Sequence, residues 1–437
     1  MFLPYLACAI LLQHLVLFSP QGVAARSWAR PHHQVITRFY DGFFSEDAAP
    51  IMRRVRKNYD RFAGDFTRAH QSIEPYAIYF PQFHAIPEND INFYPGFTDM
   101  VNLVQAKETY PHLWTPLEKV LGFYDLAEDT RIVPTQIELA KSFGFYGFAL
   151  YYFWFSTNTI TGENMLFRKV IDQFFGSEMD GFSVFFVFCN ENWSKNPGFT
   201  MDAESSNFAI SNEYTKENIA KNMRGLVKYF KHANYRKINN KPVFAIHQPY
   251  EMTDEEIRLF QHVSDEIMLQ NGFSGLEMIV DRRDRARPGY VNYYMHSNYK
   301  TTKENMFLEI DGNKRFIDYE KYIRSFAADV QKEDGSDVIN SVFTNFNNVI
   351  RYYNHKNSNV LTTKTKGNSI TLFKEFLDLQ MKKYRKKRNA VTKIFLVNAW
   401  NEWGEQMVME PSNEIGFLYL TSFQERLLRN FKKAVTS

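Results

Sequence analysis

Cysteine is almost absent from this 437-residue chain, which contains only Cys8 and Cys189. Cys8 lies in an N-terminal apolar segment that we expect to be cleaved, so the mature chain would keep one thiol and no internal disulfide. Cys189 follows a run of strand-forming apolar residues, and no Cys/His motif surrounds it. We therefore predict a buried, unreactive thiol rather than a nucleophile.

The chain also lacks a strong charge of either sign and the common cofactor motifs. Its formal net charge of +3 gives no reason to expect a nucleic-acid partner. It has no glycine-rich phosphate loop after a strand, no metal-ligand spacing and no G-x-S-x-G turn, so we expect no cofactor, no metal and no serine nucleophile. His84, His247 and His296 are interpreted as polar or substrate-contacting residues, and the basic run 382–388 as a solvated helix end.

Long hydrophobic runs are missing except at the N-terminus. Residues 2–18 are almost entirely apolar, and small residues around Ala25 offer a cleavage site. This pattern predicts a signal peptide over residues 1–25 and a secreted or secretory-pathway protein with no firm membrane contact. Because no positive segment precedes the run and Arg26 and Arg30 follow it, an uncleaved anchor is the alternative.

Residues 26–72 are predicted to form an N-terminal extension. Between Ala48 and His70 the chain is rich in Arg and Lys, and its apolar side chains recur at helical spacing: Ile51, Val55, Tyr59, Phe62 and Phe66. This predicts an amphipathic helix docked on the main domain, with a membrane-surface role as the weaker alternative.

From residue 73 to 437, short apolar runs alternate with helical patterns. The runs, several of them continuously apolar, lie at residues 76–80, 147–155, 184–189, 243–247, 276–281, 291–295, 342–344 and 394–397. Continuous apolar strands are typical of parallel sheets that are buried on both faces. Eight strands that alternate with helices predict an α/β fold, a (β/α)8 barrel of the TIM type.

Polar and aromatic residues follow most of these runs. The carboxyl ends of barrel strands converge on one face, so we predict a substrate site there. Amides, carboxylates and aromatic rings suit a sugar, since they bond hydroxyls and stack on ring faces. The predicted substrate-binding residues are Tyr79, Gln82, His84, Tyr151, Tyr152, Trp154, Asn190, Glu191, Asn192, Trp193, His247, Asn398, Trp400 and Trp403. We expect the one glycosylation sequon, at Asn192, to lie in this pocket and carry no glycan.

The last strand leads into two glutamates, Glu402 and Glu405, three residues apart. In a helical turn this spacing places both side chains on one face. Paired carboxylates are the usual acid and base of glycosidic chemistry, so we predict that these two are catalytic. Glu191 is a third candidate, and Glu410 is expected on the surface.

Several stretches in this order resemble the WbsX-type, glycosyltransferase-like family, which is related to glycoside hydrolase family 99, the endo-α-mannosidases. They lie at residues 79–90 (YFPQFHAIPEND), 96–99 (GFTD), 122–126 (GFYDL), 147–155 (GFALYYFWF), 190–194 (NENWS), 241–244 (KPVF), 398–405 (NAWNEWGE) and 409–411 (MEP). The resemblance implies a (β/α)8 barrel. It also implies that Glu402 is the base, acting on a sugar 2-hydroxyl through an anhydro-sugar intermediate, and that Glu405 is the acid.

The chain departs from the family pattern at two places. Residues 195–198 (KNPG) replace an Arg-rich, Trp-Asp-Gly stretch, and Asn347 stands where family members have Asp. A carboxylate lost from the pocket would change substrate contacts or mark an inactive member.

Three functions remain open at this point. The first is a glycoside hydrolase or transglycosylase that acts on a glycan or polysaccharide. The second is a sugar-nucleotide-dependent glycosyltransferase, although the chain has no D-x-D motif. The third is a sugar-binding barrel without catalysis.

Overall fold

The computed structural model describes residues 48–193, 210–281, 293–295, 307–311, 314–329, 338–352, 362–386 and 393–431, except residues 158, 178 and 180. The predicted signal peptide, His296, the stretch 195–198 and the end of the basic run, residues 387–388, lie outside these residues. In the described part no helix is long and apolar enough to cross a membrane.

Eight parallel strands form the barrel wall, and all eight predicted strands are present. The short strand Lys237–Ile238 pairs antiparallel with the fourth of them. The eight strands are β1 (Glu74–Tyr79), β2 (Gly147–Tyr152), β3 (Ser183–Phe188), β4 (Lys241–Ile246), β5 (Glu277–Asp281), β6 (Tyr293–Met295), β7 (Val338–Ile339 and Ser341–Phe343) and β8 (Ile394–Asn398). Neighbours along the chain pair in parallel, and β8 also pairs in parallel with β1, with Ala77 opposite Val397.

The ring of strands closes through β7. Ile339 pairs with Met295 of β6, whereas Val342 pairs with Val397 of β8. Asn340 lies between these two pairings, and its carbonyl accepts a hydrogen bond from the Leu396 amide at 2.9 Å. One continuous segment therefore joins the two edges of the sheet, and the predicted (β/α)8 barrel is confirmed.

Helices follow the strands and cover the barrel. They are α1 (Ala48–His70), α2 (Pro87–Asn92), α3 (Asp99–Thr109), α4 (Ile132–Ser142), α5 (Arg168–Gly176), α6 (Lys216–Phe230), α7 (Asp254–Gln270), α8 (Tyr319–Asp329), α9 (Val349–Tyr352), α10 (Ile370–Lys386) and α11 (Leu418–Phe431). The helix predicted at residues 48–70 is α1. It packs on α4 and α11, and Asn58 fixes the contact by donating to the Ser142 carbonyl at 2.7 Å.

A smaller three-stranded sheet lies beside the barrel at Phe307–Asp311, Lys314–Asp318 and Thr362–Lys366. Its last strand supports the segment after β7, since the Thr365 amide donates to the Phe346 carbonyl at 2.8 Å. Another short hairpin, Asn401–Glu402 with Met407–Val408, follows β8 and carries the predicted catalytic residues.

Side chains alternate between the barrel interior and the helix layer, as strand geometry requires. On β2, Tyr152 points outward and its hydroxyl donates to Asn222 of α6, whereas Tyr151 points inward toward His247. The inward residues near the strand ends therefore line the opening where polar groups gather.

Candidate active site

Glu402 and Glu405 face the same guanidinium at the end of β8. Glu402 belongs to the short hairpin, and Glu405 ends the 3₁₀ turn Trp403–Glu405. Arg351 donates from Nη2 to Glu402 Oε1 at 2.5 Å and from Nη1 to Glu405 Oε1 at 2.9 Å. The Glu402 side chain is 7% exposed and that of Glu405 is 15% exposed. The two carboxylates therefore share one space, as their spacing predicted.

A third carboxylate, Asp99, completes this cluster. Its Oδ2 lies 3.6 Å from Arg351 Nη2, and it is the first residue of α3, whose N-terminus is capped by Thr98. A Cβ on Gly404 would lie 2.7 Å from the Asp99 Cγ, so only glycine leaves room for this carboxylate. The turn sequence Trp-Gly-Glu thus allows Asp99 to approach the glutamates.

The cluster places three acidic groups, two of them buried, around one cation. Burial raises the pKa of Glu402 well above its ordinary value, Arg351 opposes this, and Glu405 and Asp99 add to the rise. Burial likewise raises the pKa of Asp99, again against Arg351. Burial and the neighbouring carboxylates therefore favour the protonated forms of Glu402 and Asp99.

The loop after β7 sets the position of Arg351. Asn347 donates its backbone amide to the Glu405 carbonyl at 2.7 Å, and its side-chain Oδ1 accepts from the Val349 amide at 3.2 Å. The second bond caps the start of α9, the short helix that carries Arg351. The same residue therefore joins the arginine helix to the catalytic turn.

A second polar group lies at the ends of β2, β3 and β4. His247 Nε2 is 3.9 Å from Glu191 Oε1, and the Gln248 side chain donates to the same oxygen. The Tyr151 ring lies 5.5 Å from that of His247.

Tyr151 links this group to the glutamates. Burial raises the pKa of Tyr151 well above its ordinary value, and the acidic groups that add to the rise are Cys189, Glu402, Glu405 and Glu191. Tyr151 therefore lies close enough to Glu191 on one side and to Glu402 and Glu405 on the other for their charges to affect it. Cys189 itself is a free, buried thiol, as predicted.

A family model for "Glycosyltransferase WbsX" matches residues 75–423, which is most of the chain and includes every residue of this site. The chain belongs to the WbsX glycosyltransferase family.

Relatives of this WbsX-family protein are distant. Two curated proteins of Xanthomonas campestris pv. campestris, both described as the uncharacterized protein WxcX, are 22% identical over 371 residues. The match covers 81% of this chain and 49% of theirs, so the chain spans about half the length of these relatives.

Solved structures with a similar fold have low identity. The GH99 endo-alpha-mannosidase of Bacteroides thetaiotaomicron matches with a TM-score of 0.49 and 13% identity, over 83% of this chain and 99% of the other. A "Glycoside hydrolase-like protein" matches with a TM-score of 0.49 and 17% identity, over 82% and 94% of the two chains.

Four of the predicted substrate residues lie behind the site rather than in it. Tyr79 donates to Gln136 of α4, Tyr152 to Asn222, and Trp403 to Glu410. Trp400 packs 5.2 Å from the Phe148 ring in the layer between barrel and helices. All four side chains are almost completely buried, so the structure does not bring them to the opening.

Two other predicted residues of the third strand end have local partners. Asn190 exchanges two hydrogen bonds of 2.8 Å with the backbone of Gln248, which ties the β3 end to the β4 end. Trp193 packs 5.3 Å from Phe155 in an aromatic cluster.

The glycosylation sequon is placed differently from the prediction. Asn192 is exposed rather than enclosed, and its side chain accepts from the Asn212 amide at 2.9 Å. The structure therefore does not enclose Asn192 in a pocket, as had been expected.

The remaining predicted residues are buried or partly buried. His84 packs 5.2 Å from Phe167, and burial lowers its pKa to about 4. Trp154 is buried and forms an isolated β-bridge with Met165. Gln82 is partly buried, and Asn398 is the buried last residue of β8.

Sequence reasoning missed four residues that build the site. Arg351 binds both glutamates and lies beside Asp99. The Asn401 side chain accepts from the Phe80 amide at 2.8 Å and donates to the Phe80 carbonyl at 3.0 Å, which joins the hairpin to the end of β1. The fourth is Glu410, expected on the surface but 1% exposed. Asp99, Asn401 and Glu410 lie in stretches that resemble the family, whereas Arg351 lies outside them.

Proposed function

We propose that this protein is a carbohydrate-active enzyme that acts on a glycosidic bond, with Glu402 as its base and Glu405 as its acid. The observation that carries the proposal is the shared guanidinium: both carboxylates bind Arg351 at the strand-end face of the barrel. Two carboxyl groups that face one space can protonate a leaving oxygen and activate a nucleophile. Of the two glycosidic reactions, we favour hydrolysis or transglycosylation of a glycan or polysaccharide.

The roles follow the resemblance. Glu402 takes the proton of a sugar 2-hydroxyl, whose oxygen attacks the anomeric carbon and forms an anhydro sugar. Glu405 gives its proton to the departing glycosidic oxygen as that bond breaks. Water, or an acceptor hydroxyl in transglycosylation, then opens the anhydro ring, giving its proton to Glu405 while Glu402 returns the other to the sugar.

The surroundings of Glu402 support its role as the base. A raised pKa makes its ionised form a stronger base toward a hydroxyl. Among the described residues, no donor binds its buried Oε2, so one acceptor oxygen of the proposed base has no partner. Arg351 stabilises whichever glutamate has lost its proton. Tyr151, Glu191 and His247 are placed to contact further hydroxyls.

The test is the loss of activity in Glu402→Gln and Glu405→Gln. Release of reducing ends would be measured on a panel of neutral and acidic polysaccharides that begins with α-mannan, because the family resembled is related to the endo-α-mannosidases. We expect each variant to lose at least 10²-fold in kcat, the scale of general acid–base catalysis. Glu255→Gln is the control, since that side chain is 81% exposed on α7. Full activity in either active-site variant would overturn the assignment.

The second candidate is a sugar-nucleotide-dependent glycosyltransferase, which the family description favours. It predicts release of nucleoside diphosphate from sugar nucleotides when an acceptor glycan is present, with no reducing ends formed from glycan alone. A sugar-binding barrel without catalysis predicts that Glu402→Gln keeps full affinity and that neither assay detects turnover.

We also propose that the chain enters the secretory pathway through residues 1–25. Expression of the full chain, followed by N-terminal sequencing of the product in the medium, tests this. A new N-terminus at Arg26 supports a cleaved signal peptide. An intact N-terminus in the membrane fraction supports the uncleaved anchor.

A further inference from the structure

A buried carboxylate, Glu410, lies behind the catalytic turn and has three side-chain donors. Its Oε1 accepts from Gln136 Nε2 at 2.8 Å. Its Oε2 accepts from the Tyr124 hydroxyl at 2.8 Å and from the Trp403 indole N–H at 2.7 Å. Gln136 in turn accepts from the Tyr79 hydroxyl at 2.7 Å.

These donors come from different parts of the fold. Tyr79 ends β1, Gln136 belongs to α4, and Tyr124 lies between α3 and α4. Glu410 therefore joins β1 and α4 to the segment after β8. All three side chains that donate to Glu410 are neutral, and Glu410 is their common acceptor.

Trp403 connects this cluster to the catalytic pair. It lies between Glu402 and Glu405, and its carbonyl accepts from the Gln406 amide at 3.1 Å, which closes the 3₁₀ turn. The indole is completely buried, so its orientation is fixed by packing and by the bond to Glu410. A change in that orientation would move the backbone from which both glutamates project.

We propose that Glu410 is a positioning residue, which holds the two catalytic glutamates in place through the Trp403 indole. This inference rests on the proposed function. Misplacement of a reacting group by about 1 Å can cost 10²-fold in rate. Trp403 is one residue from Glu402 and two from Glu405, so loss of its bond to Glu410 can shift both glutamates. Because Glu410 lies behind the turn and contacts no substrate space, its loss should lower kcat and leave KM nearly unchanged.

Three substitutions separate positioning from simple stability. Glu410→Ala removes the acceptor, and Trp403→Phe removes only the indole donor. Glu410→Gln keeps every hydrogen bond after one amide flip. Its Oε1 would accept from Tyr124 and Trp403, its Nε2 would donate to Gln136 Oε1, and Gln136 Nε2 would donate to Tyr79.

The matched control is Trp400→Phe. Trp400 is as buried as Trp403, but within the described part of the chain its indole N–H has no acceptor. Loss of this indole should cost packing and stability without a change in kcat. Trp403→Phe and Trp400→Phe therefore differ in the hydrogen bond under test.

With α-mannan as the probe, Glu410→Ala and Trp403→Phe should lower kcat about tenfold or more, with KM changed less than about threefold. Glu410→Gln should keep kcat within about threefold. The double variant Glu410→Ala/Trp403→Phe should lose no more than the worse single variant, because both remove one bond. A Glu410→Ala protein that is folded and has full kcat would overturn the proposal.

An independent readout needs no substrate. The Trp403 indole N–H resonance, assigned as the one of six that disappears in Trp403→Phe, should lie downfield in the native protein and move upfield in Glu410→Ala. If Glu402→Gln is fully active, the proposed function fails while this resonance can still report the bond. If Glu402→Gln is inactive but the resonance does not respond to Glu410→Ala, only the positioning role fails.

Discussion

At the scale of single residues, charge balance dominates this site. Arg351 binds Glu402 and Glu405 with different nitrogens and lies 3.6 Å from Asp99. One cation cannot neutralise three ionised carboxylates, and burial penalises each unpaired charge. The pKa of Glu402 and that of Asp99 are raised for this reason. The arginine thus holds both glutamates in one place and opposes the rise that burial causes in the pKa of Glu402.

Arg351→Lys should lower kcat at least tenfold. An ammonium is a point charge and cannot replace the planar fork that binds two carboxylates at once, and one oriented catalytic contact is worth about that much. The matched control is Arg56→Lys, which replaces a similar two-bond contact to Glu138 on the surface. Steady-state kinetics with both variants checks this; equal kcat values in the two would contradict it.

Glu410 should make the folded protein less stable as pH rises. Burial raises the pKa of Glu410 from 4.5 to about 7, while Gln136, Trp403 and Tyr124 oppose the rise. Between these values the folded chain holds a proton that the unfolded chain has released. Stability therefore falls as pH rises through this window, by about 3 kcal/mol when complete.

Denaturant unfolding from pH 4.5 to 8 measures this effect. Wild-type protein should lose about 3 kcal/mol more over that range than Glu410→Gln, which cannot titrate. Parallel pH profiles for the two proteins would show that Glu410 is ionised throughout.

At the scale of elements, one short helix and one turn form the candidate active site together. Helix α9 carries Arg351, and Asn347 links its start to the Glu405 carbonyl. Asn347 stands where family members have Asp, and its side-chain oxygen still caps the helix by accepting from the Val349 amide. The structure therefore gives Asn347 a local role that either Asn or Asp can fill.

Asn347→Ala should cost about 1 kcal/mol of stability and also lower kcat, because the helix that holds Arg351 loses its cap. Asn347→Asp should keep both. Thr253→Ala is the control, since Thr253 caps α7 through a capping box far from the glutamates along the chain. It should cost a similar amount of stability and leave kcat unchanged. Urea unfolding and kinetics on the three variants decide the matter.

At the scale of the whole molecule, closure of the barrel brings distant residues together. Strands β1 and β8 are more than 300 residues apart in the chain yet pair directly. Gly147 starts β2 and lies between β1 and β3, where the barrel wall is tightly packed. A Cβ at this position would lie 2.0 Å from the Ser183 carbonyl oxygen and 2.5 Å from the Tyr76 ring.

Gly147→Ala should therefore disrupt the barrel and cost more than about 3 kcal/mol, because backbone of the neighbouring strand must move. Gly225→Ala is the control. It lies in α6 with nothing within 4 Å of the added Cβ, so it should stabilise the helix by up to about 1 kcal/mol. Soluble yield and melting temperature of both variants measure this, and a native-like Gly147→Ala would contradict the strand spacing.

The sequence by itself determined the strands, the helix α1 and the position of the paired glutamates after the last strand. Apolar runs and helical periodicity are local signals, and the two glutamates follow the last run directly. The sequence did not determine which aromatic residues face the opening. Tyr151 and Tyr152 are neighbours of the same type, and strand alternation sends one inward and the other to Asn222.

Only the tertiary structure decided the partners of the glutamates. Asp99, Arg351 and Glu410 come from separate parts of the chain, and each carries a charge that local patterns alone would place at the surface. Their burial is stable because hydrogen bonds from other elements compensate it, and those bonds exist only after the barrel has closed.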